Sequence, residues 1–176
     1  VVDDKLARPI LIGRPAVIEQ RIHKAGLRMR LGVDVDNVNP EDDPRFRQYW
    51  ETYHRLMARN GVSVEAAKTI VRRSNTVIAA LMMHLHDADA MLCGTVGRYH
   101  AHLDNIRDII GMEPGAPDLA ALNAIMLHDR TLFICDTYVH EDPSAELLAG
   151  IAKMAATEVH NFGLPPTVAF SSHSNF

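Results

Sequence analysis

An α/β fold built on parallel sheets follows from three features of this 176-residue sequence. Short apolar runs alternate with amphipathic stretches, Gly, Pro and Asp punctuate the joins, and residues 131–176 read as strand, helix and strand in succession.

Pro9-Ile-Leu-Ile12 is wholly apolar and ends at Gly13-Arg-Pro15, as expected of an internal parallel strand entering a turn. Pro15 opens a helix with Val17, Ile18, Ile22 and Ala25 inward and Gly26 as its stop. Gly32-Val-Asp-Val-Asp-Asn-Val38 alternates apolar and acidic residues, which predicts a strand with Asp34 and Asp36 opposite Val33 and Val35. These aspartates are metal ligands or, the plainer reading, acids on the wet face of an edge strand. Asp43-Pro44 starts a long helix with Phe46, Tyr49, Trp50, Tyr53, Leu56 and Met57 down one side, ending at Gly61. Ser63 caps the next helix, which turns Ala67, Ile70 and Val71 inward and places Arg72-Arg73 at its negative end. Asn75 to Leu85 is helical in period.

Asp87-Ala-Asp-Ala-Met-Leu-Cys-Gly94 reads as a strand with its approach, passing into Thr95-Val-Gly-Arg98. Glycines at 94 and 97 let a ligand come close to the backbone, and amides at the start of the following helix favour phosphate. Pro114-Gly-Ala-Pro117 marks the clearest loop, Ala124-Ile-Met-Leu127 another strand, and Asp129-Arg130 a turn.

Thr131-Leu-Phe-Ile-Cys-Asp-Thr-Tyr-Val139 has the β-branched and aromatic content of a buried strand, ended by His140-Glu-Asp-Pro143. A helix follows, with Asp142 as expected N-cap, Pro143 at its first position and Glu146 against the positive end of the dipole. Leu148, Ile151, Ala155, Val159 and Phe162 form its apolar stripe, and Gly163 stops it. Pro165-Pro166 precede a second strand, Thr167-Val-Ala-Phe-Ser171. The three elements predict a right-handed βαβ unit whose strand C-termini border a ligand crevice.

Bulk composition narrows the function classes. Eighteen basic against 22 acidic residues give a net charge of −4 without any Lys/Arg block, so neither nucleic acid nor an anionic membrane is an expected partner. The apolar runs fall far short of the ~20 residues of a membrane span, and no signal peptide is visible. Cys93 and Cys135 lie in apolar, strand-like stretches, which predicts buried, reduced thiols and a cytoplasmic setting. Both ends read as cut from a longer polypeptide.

Ten histidines invite a metal, but the pairs His84/His86 and His100/His102 are two apart, where a helical ligand pair needs three or four. No metal site is predicted. His128, His140 and His173 follow apolar stretches at turns, where solvent-facing or hydrogen-bonded imidazole is expected. No Gly-x-Ser-x-Gly elbow is present for a hydrolase. The alternation predicts Ser172 and Ser174 on one side of a strand end, with Asn175 beside them. Such donors suit phosphate oxygens, or else cap a helix beyond Phe176.

Phe133-Ile-Cys-Asp-Thr-Tyr-Val-His-Glu-Asp-Pro143, Glu146-Leu-Leu-Ala-Gly-Ile-Ala-Lys-Met-Ala-Ala156, Phe162-Gly-Leu-Pro-Pro-Thr-Val-Ala169 and Ser172-His-Ser-Asn-Phe176 resemble the phosphate acetyl/butyryltransferase family. The likeness runs from Ala7 to Phe176. Ser-His-Ser-Asn-Phe in place of Ser-x-Ser-Thr-Lys is similar to the variant that forms the C-terminal domain of bacterial NADP-dependent malic enzymes. The resemblance implies a three-layer α/β/α architecture with mainly parallel sheets and two lobes flanking a cleft, as in isocitrate and isopropylmalate dehydrogenases. Residues 1–112 would belong to the first lobe and 113–176 to the second.

It further implies an acyl-CoA or phosphate site at Thr95, Ser172, Ser174 and Asn175, with Arg98 and Arg107 as nearby cations. The Ser-Arg and Asp that carry transacetylase chemistry lie beyond the end of this sequence, and Phe176 stands where the family has a lysine, so no catalytic residue is assigned. Acetyl-CoA is the expected ligand, regulatory in role, and a homo-oligomer, at least a dimer, the expected assembly. Malate oxidation and decarboxylation, with NADP and Mg or Mn, are expected of a separate N-terminal region. An active phosphate acetyltransferase is the rival expectation.

Overall fold

A computed structural model describes residues 1–171. The chain divides into two compact units, residues 1–111 and residues from 112 onward.

The first unit contains β1 (Ile10–Ile12), α1 (Pro15–Lys24), β2 (Asp36–Val38), α2 (Phe46–Met57), a 3-10 turn (Ala58–Asn60), α3 (Val64–Arg73), α4 (Asn75–His84) and α5 (Tyr99–Ile109). β1 and β2 pair in parallel, with Ile10 opposite Asp36 and Ile12 opposite Val38. The side-chain amide of Asn37 donates to the carbonyls of Leu11 and Gly13, tying the strand end to the turn that follows it. α4 is apolar on nearly all sides because it is the central helix. Val77, Ile78, Ala80, Leu81 and Met82 are all buried, with α2, α3 and α5 packed around it. Tyr49, Tyr53 and Met57 of α2, Ala67 and Val71 of α3 and Ile109 of α5 complete this core.

Helix ends follow the expected chemistry. The Ala66 amide donates to Ser63 Oγ at the start of α3, and the Val77 amide to Ser74 Oγ at the start of α4. At the end of α1, Gly26 takes a left-handed conformation while the Gly26 and Leu27 amides donate back to the His23 and Ile22 carbonyls. His86 plays the same part after α4, with φ of 60°.

Two expectations for this unit do not hold. Residues 32–34 form a turn, so Val33 is exposed and only Asp36–Val38 is strand. Asp36 there receives the guanidinium of Arg8 at 2.6 and 2.7 Å, and the Asp34 carboxylate takes the Arg30 amide. Residues 87–94 are not a strand either, because no described segment offers them a ladder of hydrogen bonds. Their apolar residues are used singly. Ala88 and Met91 pack against the core, whereas Leu92 and Cys93 face solvent.

The second unit contains β3 (Asn123–Met126), β4 (Thr131–Ile134) and α6 (Ala145–Asn161). β3 and β4 form an antiparallel hairpin with Met126 opposite Thr131 and Asn123 opposite Ile134. The parallel βαβ unit expected here is therefore absent among the described residues: β4 pairs backward, and residues 164–171 carry no strand. Nor is β4 buried, since Leu132 and Ile134 are about half exposed. A two-stranded ribbon has two faces to cover, and α6 reaches the hairpin through a ring contact between Phe162 and Phe133. Cys135, just past the end of β4, is exposed like Cys93, contrary to the expected buried thiols.

The N-cap of α6 is Ser144, whose Oγ accepts from the Leu147 amide, and not Asp142. Counted from the hydrogen bond, the helix starts two residues later than Pro143 suggested. Ile151 is its buried apolar residue, and Gly150 lies directly against the Pro117 ring. Gly163 ends it in a left-handed conformation, with amide bonds from Gly163 and Leu164 to the His160 and Val159 carbonyls.

Candidate functional site

Gly94-Thr95-Val-Gly97 forms an exposed loop that delivers the chain into α5. Gly94 has φ of 122°, Gly97 of 101° and Thr95 of 63°, so three of four residues lie at positive φ. For a β-branched residue that conformation is an outlier of the kind that collects at ligand-binding loops. Arg98 is the N-cap of α5, and no side chain caps the helix there.

The loop is held from behind by His102. Its Nε2 lies 2.8 Å from the Val96 carbonyl and its Nδ1 2.8 Å from the hydroxyl of Thr76. A carbonyl only accepts, so Nε2 carries the proton and Nδ1 accepts from the Thr76 O–H. Thr76 is buried in the first turn of α4, so the bridge runs from α4 through α5 to the loop backbone. A Cβ on Gly97 would sit 3.2 Å from His102 Nε2. We expect Gly97→Ala to cost about 1–2 kcal/mol in thermal unfolding, from backbone strain together with that contact.

Thr95 and Arg98 thus share one loop. Arg107 lies in the last turn of α5, about 13 Å along the helix axis from Arg98. Ser172, Ser174 and Asn175 lie outside the described residues. Sequence spacing set His102 aside because its distance from His100 suits no metal, and spacing does not register a single imidazole bridging a helix and a carbonyl.

A second polar cluster lies in the other unit. The carboxylate of Asp136, two residues past β4 with its side chain only 4% exposed, accepts from the amides of Ala121, Tyr138, Val139 and His140. His140 Nδ1 lies 2.7 Å from Asp136 Oδ2, and its Nε2 lies 3.2 Å from Asp118 Oδ2. The bond to Asp118, and then that to Asp136, raises the pKa of His140 against the opposing effect of burial. Burial works to raise the pKa of Asp136, but the amides of Ala121, Tyr138 and Val139 and the His140 imidazole together hold it below the usual carboxylate value. Asp136 therefore fixes residues 136–140 onto residues 118–121 by charge-assisted hydrogen bonds. The signal in the sequence was an aspartate just after a strand, with a histidine four residues on.

These two α/β units, with a glycine-rich loop opening a helix, share their fold with acyl-transferring enzymes. The structure matches EutD phosphotransacetylase from Staphylococcus aureus with a TM-score of 0.78 at 17% identity, over 90% of this chain and 47% of that one. Residues 1–176 match the family model described as phosphate acetyl/butaryl transferase, and the chain belongs to that family. It is 49% identical over 171 residues to an NADP-dependent malic enzyme of Salmonella typhimurium, covering 97% of this chain and 22% of that protein. It is 48% identical to the Haemophilus influenzae NADP-dependent malic enzyme, covering 100% of this chain and 23% of that protein. A phosphate acetyltransferase of Synechocystis is more distant, at 31% identity over 99% of this chain and 25% of that protein. The chain thus spans under a quarter of the malic enzymes it resembles, as a phosphotransacetylase-like portion of them.

Proposed function

We propose that this chain serves a cytoplasmic NADP-dependent malic enzyme as a regulatory domain that binds acetyl-CoA and contributes to a homo-oligomer. Oxidative decarboxylation of malate to pyruvate, with NADP and Mg or Mn, belongs in this reading to a separate N-terminal region. The observation that carries it is the Gly94–Gly97 loop, whose exposed backbone leads into a helix start that no side chain caps. Such a start favours phosphate, which coenzyme A supplies, and Arg98 adds a cation at the same place. By the family resemblance Ser172, Ser174 and Asn175 are further candidate phosphate donors and Arg107 a further candidate cation. Phe176 stands where the family has a lysine, and one cation fewer favours holding an acyl-CoA over turning it over. Regulation then requires only that acetyl-CoA bind two arrangements of subunits unequally.

Calorimetric titration of the full-length polypeptide with acetyl-CoA tests this. Saturable binding is expected, weakened about tenfold by Arg98→Ala, with acetyl-CoA formation from acetyl phosphate staying at background. The likeness to the Synechocystis phosphate acetyltransferase favours a second reading, an active transacetylase, and turnover well above background would establish it over the first.

A further inference from the structure

We propose that His102 is a positioning residue for acyl-CoA binding, fixing the Gly94–Gly97 loop through its bond to the Val96 carbonyl while Thr76 fixes the imidazole. This rests on the reading of that loop as the ligand site. Val96 itself is 81% exposed, so its side chain does not anchor the loop, and Leu92, a few residues earlier, is fully exposed. Without His102, the loop's glycines at 94 and 97 would leave its backbone free to sample many conformations. The Nε2–H donor removes much of that freedom before a ligand arrives, so less ordering is left to oppose binding.

Thr76 selects the tautomer that makes this possible. Its buried hydroxyl donates to Nδ1, which keeps the proton on Nε2 and aims it at Val96. Gly97 belongs to the same device, since a side chain there would press on the imidazole. Loop, helix and buried hydroxyl act as one unit: α4 supplies a rigid reference, and α5 transmits it to the backbone that meets the ligand.

The test measures acetyl-CoA affinity and amide hydrogen exchange in the full-length polypeptide for His102→Ala, His102→Gln and Thr76→Val. His102→Ala is expected to weaken binding about tenfold and to speed exchange at residues 94–98 while the amides of α2 and α3 are unchanged. His102→Gln, which keeps a side-chain N–H donor, is expected to restore affinity to within about threefold of the parent, and Thr76→Val to fall between. Should His102→Ala fail to fold, the other two variants decide by the same readouts. Equal affinity in parent and variants overturns the positioning role and leaves the loop's proposed ligand standing. Absence of acetyl-CoA binding by the parent overturns both.

Discussion

Gly150→Ala is expected to destabilise the second unit by about 1–2 kcal/mol, even though alanine is the better helix former by about 1 kcal/mol. Gly150 lies in the second turn of α6, and a Cβ there would come to 2.5 Å from Pro117 Cγ and 3.2 Å from its Cβ. The proline ring cannot swing aside as a flexible side-chain end would, so helix or loop must move. That strain outweighs the gain in propensity. In thermal unfolding the change corresponds to a fall of roughly 5–10 °C if the unit melts as a small domain. Adding Pro117→Ala removes Cγ and with it the worst contact, so the double variant is expected to be more stable than Gly150→Ala alone. If Gly150→Ala raised the melting temperature, the close packing of α6 on the Pro114–Pro117 loop would be refuted.

Asp136→Asn is expected to cost about 3 kcal/mol, in the range for breaking a buried charged pair from one side. Four amides and an imidazole donate to this carboxylate, and the new NH2 group would point a donor at some of them. The cluster also gives stability a pH signature of definite sign. His140 has a raised pKa, so its contribution is full below its unfolded value near 6.5 and is lost as pH rises through the folded value. Asp136 has a lowered pKa, so its contribution is full above 3.8 and is lost as pH falls through the folded value. Stability should therefore be greatest between these limits and decline on both sides. Urea midpoints measured across that range are expected to lose this acid decline in Asp136→Asn but only part of the alkaline one, because the bond to Asp118 contributes first to the raised pKa of His140 and stays in place. An alkaline decline unchanged when Asp118→Asn is added to Asp136→Asn would assign it to groups other than His140.

Helices were the most legible part of the chain, because their signals are local. The apolar spacing of Tyr49, Tyr53 and Met57, the serine at 63 and the glycines at 26, 61 and 163 each act within one or two turns, and each works as read. The start of α6 was misread for an instructive reason. Asp142-Pro143 and Ser144 both carry start signals, and only the geometry shows that the Leu147 amide reaches Ser144. Strands were less legible. Residues 87–94 and 167–171 have strand-like composition, but a strand exists only where another segment lies alongside, and composition does not report the neighbour. The candidate site divides in the same way: Gly94, Thr95 and Gly97 stood out in the chain, whereas His102 and Thr76 became part of it only through a meeting across 26 residues of sequence.

The sequence by itself determined the family, the α/β class, the run of helices and the glycine-rich loop, since each is written in contiguous residues. Tertiary structure alone decided that β4 turns back on β3, that Asp136 gathers four amides and an imidazole, and that one histidine holds the loop in place. These depend on distances between residues far apart in the chain. Such distances come from packing and hydrogen-bond satisfaction over a whole unit, which no local stretch encodes.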